Sequence, residues 1–462
     1  MLYKVEPRKP AVLTAGLIGA QTLFAQTRAK HAFSKGRRRI EVMKANIAYK
    51  FELMPTREQK RIFAQAVGCR RFVWNKAIEL QKRCLEQEVP FLKYTELAGR
   101  LVLWKKEDDM LWLLEAPSQA LQQCLMDASA AIQAFKAKKK GFPKFQARGD
   151  GDSFRIPQVR PTDWDEANGR VRIPKAGFVR FRKSRPIQGK IKQMTVSIEC
   201  GHWFVSVVTE MDFANDGPRR PGEVGIDLGI AQTVTLSDGT VFQLDVESIK
   251  KHEKQIAVLQ RQLCRNKEAR QKLAKLGKAN PFDKREPSRK RRRLKAKIQN
   301  HHRCIRNIRR DFMLKTAHTI AQNYGGVAME DLKLKNMTKS AKGTVEEPGK
   351  NVRQKTGLNR SLARVAPYAM RMAIHWAVFK ANGRLILVDP KYTSQTCPIC
   401  GCTSSSNRPS QAHFGCQKCG YTANADVVGA TNVLKKSRTG SVRPCSELGN
   451  KTATGTVLFV AS

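Results

Sequence analysis

The chain has 462 residues, 41% of them hydrophobic, and carries 86 Lys+Arg against 39 Asp+Glu, a formal charge of +47. That length admits about two to four domains with sizeable cores, and so large a like-charge excess repels itself unless a polyanion offsets it, which makes nucleic acid the expected partner. No run of about 18 apolar residues occurs, which argues against a spanning helix and a membrane partner; the 12 cysteines are too sparse and uneven for a disulfide framework and suit a reducing, cytoplasmic interior.

Residues 1–42 place Lys4, Arg8 and Lys9 before AVLTAGLIGA, a loose imitation of a signal peptide. Export fits poorly with this charge, so 1–42 is expected to be a dispensable extension and the first domain to open near Met43. NIAYKFEL (46–53) alternates as a strand, and Thr56 with Gln59 fits a capping box at the start of a helix. From Arg57 to about Lys140 the pattern is helical, with Ile62, Ala66, Cys69, Phe72, Val73 and Ala77 as one buried stripe. A further helix begins at Ser118 and runs through Leu121, Leu125, Ala128, Ile132 and Phe135.

The period then changes. GFPKFQ, SFRIP, RVRIP, GFVRFRK, KQMTVSIEC and HWFVSVVTEM are short alternating runs separated by turn residues, an antiparallel sheet or small barrel over 141–212. Arg155, Arg170, Arg172, Arg180, Arg182 and Lys183 are expected on its exposed, nucleic-acid-facing positions, with most of the interleaved phenylalanines in the core. NDGPRRP (215–221) reads as a linker. Val224–Ile230 reads as a strand interrupted by Asp227, and Ser237-Asp238-Gly239 as the turn of a hairpin. A carboxylate in such an apolar strand is expected to be protonated, paired or metal-bound, because burying it alone costs several kcal/mol or more.

Residues 246–325 read as a helical hairpin broken at Asn280-Pro281, with Leu294, Ile298, His301, Ile305, Ile308 and Phe312 as a heptad-like seam. The intervening run, Lys284 to Lys297, is so basic that a polyanion is expected beside it. GGVAMEDLKL (325–334) is a short strand carrying Glu330, and alternation sends Asp331 to its opposite face. Residues 336–356 read as polar and mobile. Leu362, Val365, Ala369, Met372, Trp376 and Phe379 form a helical stripe with a kink at Pro367, and RLILVDP follows as a buried strand.

Cys397, Cys400, Cys416 and Cys419 form C-x2-C-x15-C-x2-C, the spacing of a closed, structural zinc site; His413 is the nearest spare ligand. Seven residues on, Asp426 lies in a helix with Asn424 as N-cap. After about Ser437 periodicity is lost, and a disordered tail is expected. Asp227, Glu330 and Asp426 thus come from an early strand, a later strand and a late helix. Converging acids of this kind suit a pair of hard Mg2+ ions that activate water and stabilise a leaving oxygen in phosphodiester hydrolysis.

GIDLG (225–229), VAMEDL (327–332), YTSQTCPICG (392–401), FGCQKCGY (414–421) and D-x-x-x-A-T-N from Asp426 together resemble the TnpB (OrfB) family, RNA-guided DNA endonucleases of transposons whose nuclease half is similar to compact type V CRISPR effectors. The resemblance spans roughly 45–436. It implies a multidomain α+β protein. Residues 221–395 and 421–436 would be an RNase H-like RuvC nuclease, with the basic helical hairpin 246–325 within it and a four-cysteine zinc module (396–420) inserted. Residues 43–56 and 141–220 would form a β-barrel, wedge-like domain, 57–140 a helical recognition lobe, and 437–462 a tail. Asp227, Glu330 and Asp426 would hold catalytic Mg2+, the four cysteines Zn2+, and the partners would be a guide RNA from the transposon end and double-stranded target DNA bearing a short adjacent motif. The setting would be a bacterial or archaeal cytoplasm, nucleoid-associated when bound. Where the family commonly has Asn-Ala-Ala two residues after the last acid, this chain has Val428, Gly429 and Ala430; Asn432 matches a later family Asn. The competing readings are an RNA-guided DNA-binding regulator without cleavage and a DNA-binding transposition accessory protein. All three acids are present, which favours the enzyme, and no His-hydrophobe-His motif with a partnering Tyr supports covalent strand transfer.

Overall fold

The computed structural model describes residues 42–214, 220–275, 289–344, 346–439 and 442–444. The extension expected at 1–42, the break at Asn280-Pro281 and the first part of the basic run therefore lie outside the described residues, apart from Val42 itself. Contacts divide the chain into one unit of 1–215 with 453–462 and a second of 216–452.

In the first unit, β1 (Val42–Met54) leads into α1 (Arg57–Glu86), α2 (Tyr94–Trp104) and α3 (Ser118–Lys136). The strands β2 (Ser153–Ile156), β3 (Trp164–Asp165), β4 (Arg170–Ile173), β5 (Gly177–Phe181), β6 (Lys190–Glu199) and β7 (His202–Ala214) follow. The capping box is formed: the Gln59 N–H donates to Thr56 Oγ1 at 3.3 Å and the Thr56 N–H to Gln59 Oε1 at 3.1 Å. Ala66, Cys69, Val73 and Ala77 are buried as expected, with Phe63 taking the core position assigned to Ile62. The seven strands pair in the order β2-β6-β7-β1-β5-β4-β3, and no pairing among the described residues joins β2 to β3. Phe154 and Phe181 are core residues, whereas Phe145 and Phe178 are exposed. Arg170, Arg172, Arg180, Arg182 and Lys183 are exposed as expected. Arg155 is not: it is 7% exposed and reaches Asp127 of α3 at 3.3 Å, so it neutralises a buried carboxylate instead of facing solvent.

The second unit begins with β8 (Glu223–Asp227), β9 (Val234–Leu236) and β10 (Val241–Phe242), then α4 (Val246–Lys275) and α5 (Arg289–Asn323). β11 (Gly326–Glu330), α6 (Leu334–Met337), α7 (Val352–Val365), α8 (Pro367–Lys380) and β12 (Arg384–Val388) follow. It closes with β13 (His413–Gly415), β14 (Thr422–Asn424), α9 (Ala425–Arg438) and β15 (Val442–Pro444). A six-stranded sheet runs β10-β9-β8-β11-β12-β15, with β8, β11 and β12 parallel. Side chains alternate across it. Val224, Ile226, Val327, Met329, Leu385 and Leu387 share one core with Ile320 of α5 and with Met370, Ile374 and Val378 of α8. Ala328 and Val388 point the other way and pack on Val433 of α9. The seam read along α5 packs on α4, where Ile249 and Ile256 meet Ile305, Ile308 and Phe312. His301 Nδ1 lies 2.9 Å from His252 Nδ1 in the same interface, a hydrogen bond across the seam.

Several local expectations are corrected. β8 ends at Asp227 instead of Ile230, and the Ser237–Gly239 turn joins β9 to β10. Pro367 does not kink one helix but starts a new one: Ala366 sits in the left-handed region (φ 50°), which resets the helical phase. The buried positions of α8 are therefore Met370, Ile374 and Val378, while Ala369 is exposed. Within 336–356, read as mobile, Gly343 bridges Pro348 and α7 already begins at Val352. In the stretch from 437 expected as a tail, α9 continues to Arg438 and Val442–Pro444 pairs with β12, and residues 445–462 lie outside the described residues.

The approach of α9 to the sheet depends on Gly225. A Cβ there would stand 2.0 Å from the Ala430 carbonyl oxygen and 2.9 Å from Leu434 Cβ, and backbone on both sides leaves no room to yield. Gly225→Ala should lower stability by about 1–3 kcal/mol or more through overpacking, read as a drop in melting temperature. Gly99→Ala, on α2 with nothing within 4 Å of a new Cβ, should be neutral or slightly stabilising in the same assay.

Candidate functional site

Asp227 and Glu330 are the last residues of the adjacent parallel strands β8 and β11. Ile226 is in register with Met329, so the two acids follow on the next rung. Because Ile226 and Met329 face the α5/α8 core, both acids face the side covered by α9. Asp426 lies in the first turn of α9, whose N-cap Asn424 accepts the Asp426 N–H at 2.9 Å. One turn further along, a Cβ on Gly429 would be 3.2 Å from Asp227 Oδ2, and one on Gly229 would be 3.8 Å from Asp426 Oδ2. All three expected acids are therefore brought together. Asp331 faces away, as expected, and pairs with Arg371 of α8 at 3.0 Å.

Burial pushes the Asp227 carboxyl up to about 7, reinforced by the negative charges of Glu330 and Asp426. Glu330 and Asp426 are raised as well, burial again the main cause. Arg408, on the loop between the cysteine pairs, opposes this at all three acids and reaches Asp426 Oδ1 at 3.5 Å. Lys436 acts on Glu330 in the same sense. These cations do not bring the carboxylates back to their ordinary range. Oxygen donors left above that range fit a hard divalent cation, which restores the ionised form.

The loop after β12 orients Glu330. Thr393 Oγ1 donates to Glu330 Oε1 at 2.6 Å. Asn432 of α9, 5% exposed, donates to the Thr393 and Thr396 carbonyls at 2.7 Å each. Lys436 bonds the carbonyls of Asp389 and Lys391.

The sulfurs of Cys397, Cys400, Cys416 and Cys419 all lie within 4.8 Å of one another. The Cys397–Cys419 and Cys400–Cys416 Sγ pairs are 3.5 Å apart, close to the separation of roughly 3.8 Å that tetrahedral Zn–S bonds impose. Backbone N–H groups of Cys419 and Lys418 point at Cys416 Sγ and lower its thiol to about 6. The quartet therefore fits Zn2+ and leaves His413 outside it. Buried Asn407 ties the module together through the Gln395 and Cys402 carbonyls, 3.0 Å each. Cys397, Phe414 and Cys416 share a core with Ala425 and Val428 of α9. Val428, the departure from the family's Asn, is thus a packing residue here.

Thr393, Arg408, Gly225 and Gly429 were not legible in the sequence as parts of the site. Thr393 and Gly225 stand inside recognisable motifs, but nothing local marks Arg408, whose contact exists only once the module has folded. On α5, Arg289, Lys290, Arg292, Arg293, Lys295 and Lys297 are exposed. Among the described residues no helix is long and apolar enough to cross a membrane.

Fold and site together define a mixed α/β protein with an acidic cluster at the carboxyl ends of the parallel strands of a mixed sheet and a four-cysteine centre beside it. Family models match in three stretches: "Helix-turn-helix domain" at 43–88, "Probable transposase" at 206–341 and "Cas12f1-like, TNB domain" at 368–433. The first of these covers a strand and one helix, β1 and α1. The chain is 41% identical over 406 residues, 88% of its length and 95% of the relative's, to "Putative RNA-guided DNA endonuclease InsQ" of Escherichia coli strain K12. It is 27% identical to "Putative RNA-guided DNA endonuclease" of Streptomyces pristinaespiralis, over 84% of this chain and 88% of that one. A Cas12f1 chain solved with sgRNA and target DNA matches with a TM-score of 0.41 and 14% identity, covering 85% of this chain and 98% of that one. The chain belongs to the TnpB (OrfB) family.

Two outcomes follow. Asp227 binds its proton more tightly folded (about 7) than at its ordinary 3.8, so metal-free protein should lose about 2–4 kcal/mol as pH rises from about 4 to 7 and no more above that. Thermal melts should show this loss in the parent protein and a smaller one in Asp227→Asn, where only Glu330 and Asp426 remain raised, and Mg2+ at pH 8 should stabilise the parent more than the variant. Cys416→Ser should lower the zinc content measured by atomic absorption and destabilise the Ala425 end of α9, seen as lost amide-exchange protection there.

Proposed function

We propose that the protein is an RNA-guided DNA endonuclease that hydrolyses phosphodiester bonds at Asp227, Glu330 and Asp426. The observation that carries this reading is the convergence of three carboxylates, all held above their ordinary range, on one face of the sheet. The family and the printed names of its relatives support the guided part of it, and the formal charge of +47 suits a chain holding RNA and DNA together.

In this reading the second unit is a RuvC-type nuclease. Asp227, Glu330 and Asp426 hold Mg2+, which when bound activates water and stabilises the leaving oxygen. Glu330 is kept in place by Thr393. Arg408 lies at the rim, where its guanidinium can meet a phosphate oxygen as well as Asp426. The four cysteines hold a structural Zn2+ that fixes the Arg408 loop against α9. The sheet of the first unit serves as the wedge-like part and its helices as the recognition lobe, with exposed Arg170, Arg172, Arg180 and Arg182 facing nucleic acid. Base pairing with the guide reads the target, and the protein reads a short adjacent motif.

Expression with the native downstream flank, followed by sequencing of co-purified RNA, tests the guide. The particle should then cut matched plasmid DNA in Mg2+ and not in chelator. Asp227→Ala should keep the RNA and lose cutting, and Arg408→Ala should slow cutting by about 10- to 100-fold, the usual effect of removing a partner that orients a metal ligand. Discrete RNA with no cutting would mark a guided regulator, and the absence of any defined RNA would leave an unguided nuclease.

A further inference from the structure

Tyr392 has a role that neither packing nor backbone preference accounts for. Its side chain is 63% exposed, so burial explains nothing. Its backbone lies in the left-handed region at φ 61°, which bulky L residues rarely adopt. That conformation is held firmly. The Tyr392 carbonyl accepts from the N–H groups of Gln395 and Thr396, 3.1 Å each, and from Thr396 Oγ1 at 2.8 Å. Thr393, the next residue, is 3% exposed and holds Glu330 through its hydroxyl, while Asn432 fastens the carbonyls of Thr393 and Thr396 from α9. Lys436 fastens the carbonyls of Asp389 and Lys391 just before it. A loop pinned at this many points projects one aromatic ring into solvent, one residue away from a side chain touching an acid of the cluster.

Three features narrow what the ring meets. It stands at the carboxyl edge of β12, the edge where β8 and β11 deliver their acids and where open α/β sheets take their ligands. Lys333 and Lys335, on the segment that follows Glu330, are exposed along the same edge. Lys391, its neighbour in the chain, is exposed too, and an exposed aromatic on an edge that carries cations is the arrangement that stacks an unpaired base while the backbone lies along positive charge. We infer that Tyr392 is a stacking platform for a nucleobase of the single-stranded substrate, flanking the phosphate offered to the acidic cluster. This rests on the nuclease reading above and adds a residue that touches substrate without touching metal. Such a platform tolerates any base, since every base has a π-face, and demands a single strand, since paired bases are already stacked.

The test separates ring from backbone. Asn accepts φ > 0 far more readily than Tyr, so Tyr392→Asn should fold with unchanged or higher melting temperature and the normal zinc content while losing the ring. Guide-loaded particles carrying Asp227→Ala, which bind without cutting, are mixed with a target whose displaced strand carries 5-iododeoxyuridine, irradiated, and digested for mass spectrometry. We expect an adduct at Tyr392. We also expect Tyr392→Asn, in otherwise native protein, to raise the KM for single-stranded DNA by about 5- to 100-fold, the range measured for loss of one base–aromatic stack, and Tyr392→Trp to restore it. No adduct, together with a Tyr392→Asn protein that binds and cuts like the parent, overturns the platform. An adduct in the Asp227→Ala particle, with a parent protein that never cuts, supports the platform and sinks the nuclease reading instead.

Discussion

The site depends on how closely α9 lies on β8. Gly225 on the strand removes the side chain that would strike the Ala430 carbonyl, and Gly429 on the helix leaves Asp227 a gap of 3.2 Å to where a Cβ would be. With a side chain at Gly225 the helix would stand off the sheet, and Asp426 would move away from Asp227 and Glu330, whereas a Cβ at Gly429 would ask only the Asp227 carboxylate to shift. The glycine of GIDLG and the departure from the family's Ala after Asp426 are therefore two sides of one contact. Strand alternation does the rest: once Val224, Ile226, Val327 and Met329 are committed to the core with α5 and α8, Asp227 and Glu330 have only the α9 side left to face.

The four-cysteine module reaches the acids through the same helix. Its core is shared with Ala425 and Val428, and the Ala425 N–H donates to the Ala412 carbonyl at 3.0 Å. Asn432 reaches back from α9 to the loop that carries Thr393. A metal at the cysteines would therefore brace both the start of α9 and the strand-end loop, and with them Asp426 and Glu330. A closed thiolate site has no open position for chemistry, and under the proposed function it would serve as outer support for the acids.

Much of this was legible in the sequence, for identifiable reasons. The capping box at Thr56, the seam on α5 and the cysteine quartet are local patterns whose physics is complete within a few turns, and each is present in the fold. Phase errors came where a single backbone residue overrode the pattern. Ala366 in the left-handed region restarts the helical count, so a stripe read through Pro367 falls on the wrong face of α8. Arg155 was misplaced because its partner, Asp127, lies on a different element. Arg408 was invisible for the same reason. Its role belongs to the folded module, and no window around NRPSQ contains Asp426.

The electrostatics set one further requirement. A chain of formal charge +47 draws in nucleic acid over distances of a Debye length and more. At the acids, however, the field reverses, and the phosphate to be cut would meet three carboxylates whose mutual repulsion already raises Asp227. Partial protonation relieves that repulsion in the isolated protein. It also removes the anionic donors that a divalent cation needs. Cation binding and proton release are thus alternatives at one site. Arg408 lowers all three acids and Lys436 lowers Glu330, and neither cancels the rise that burial imposes.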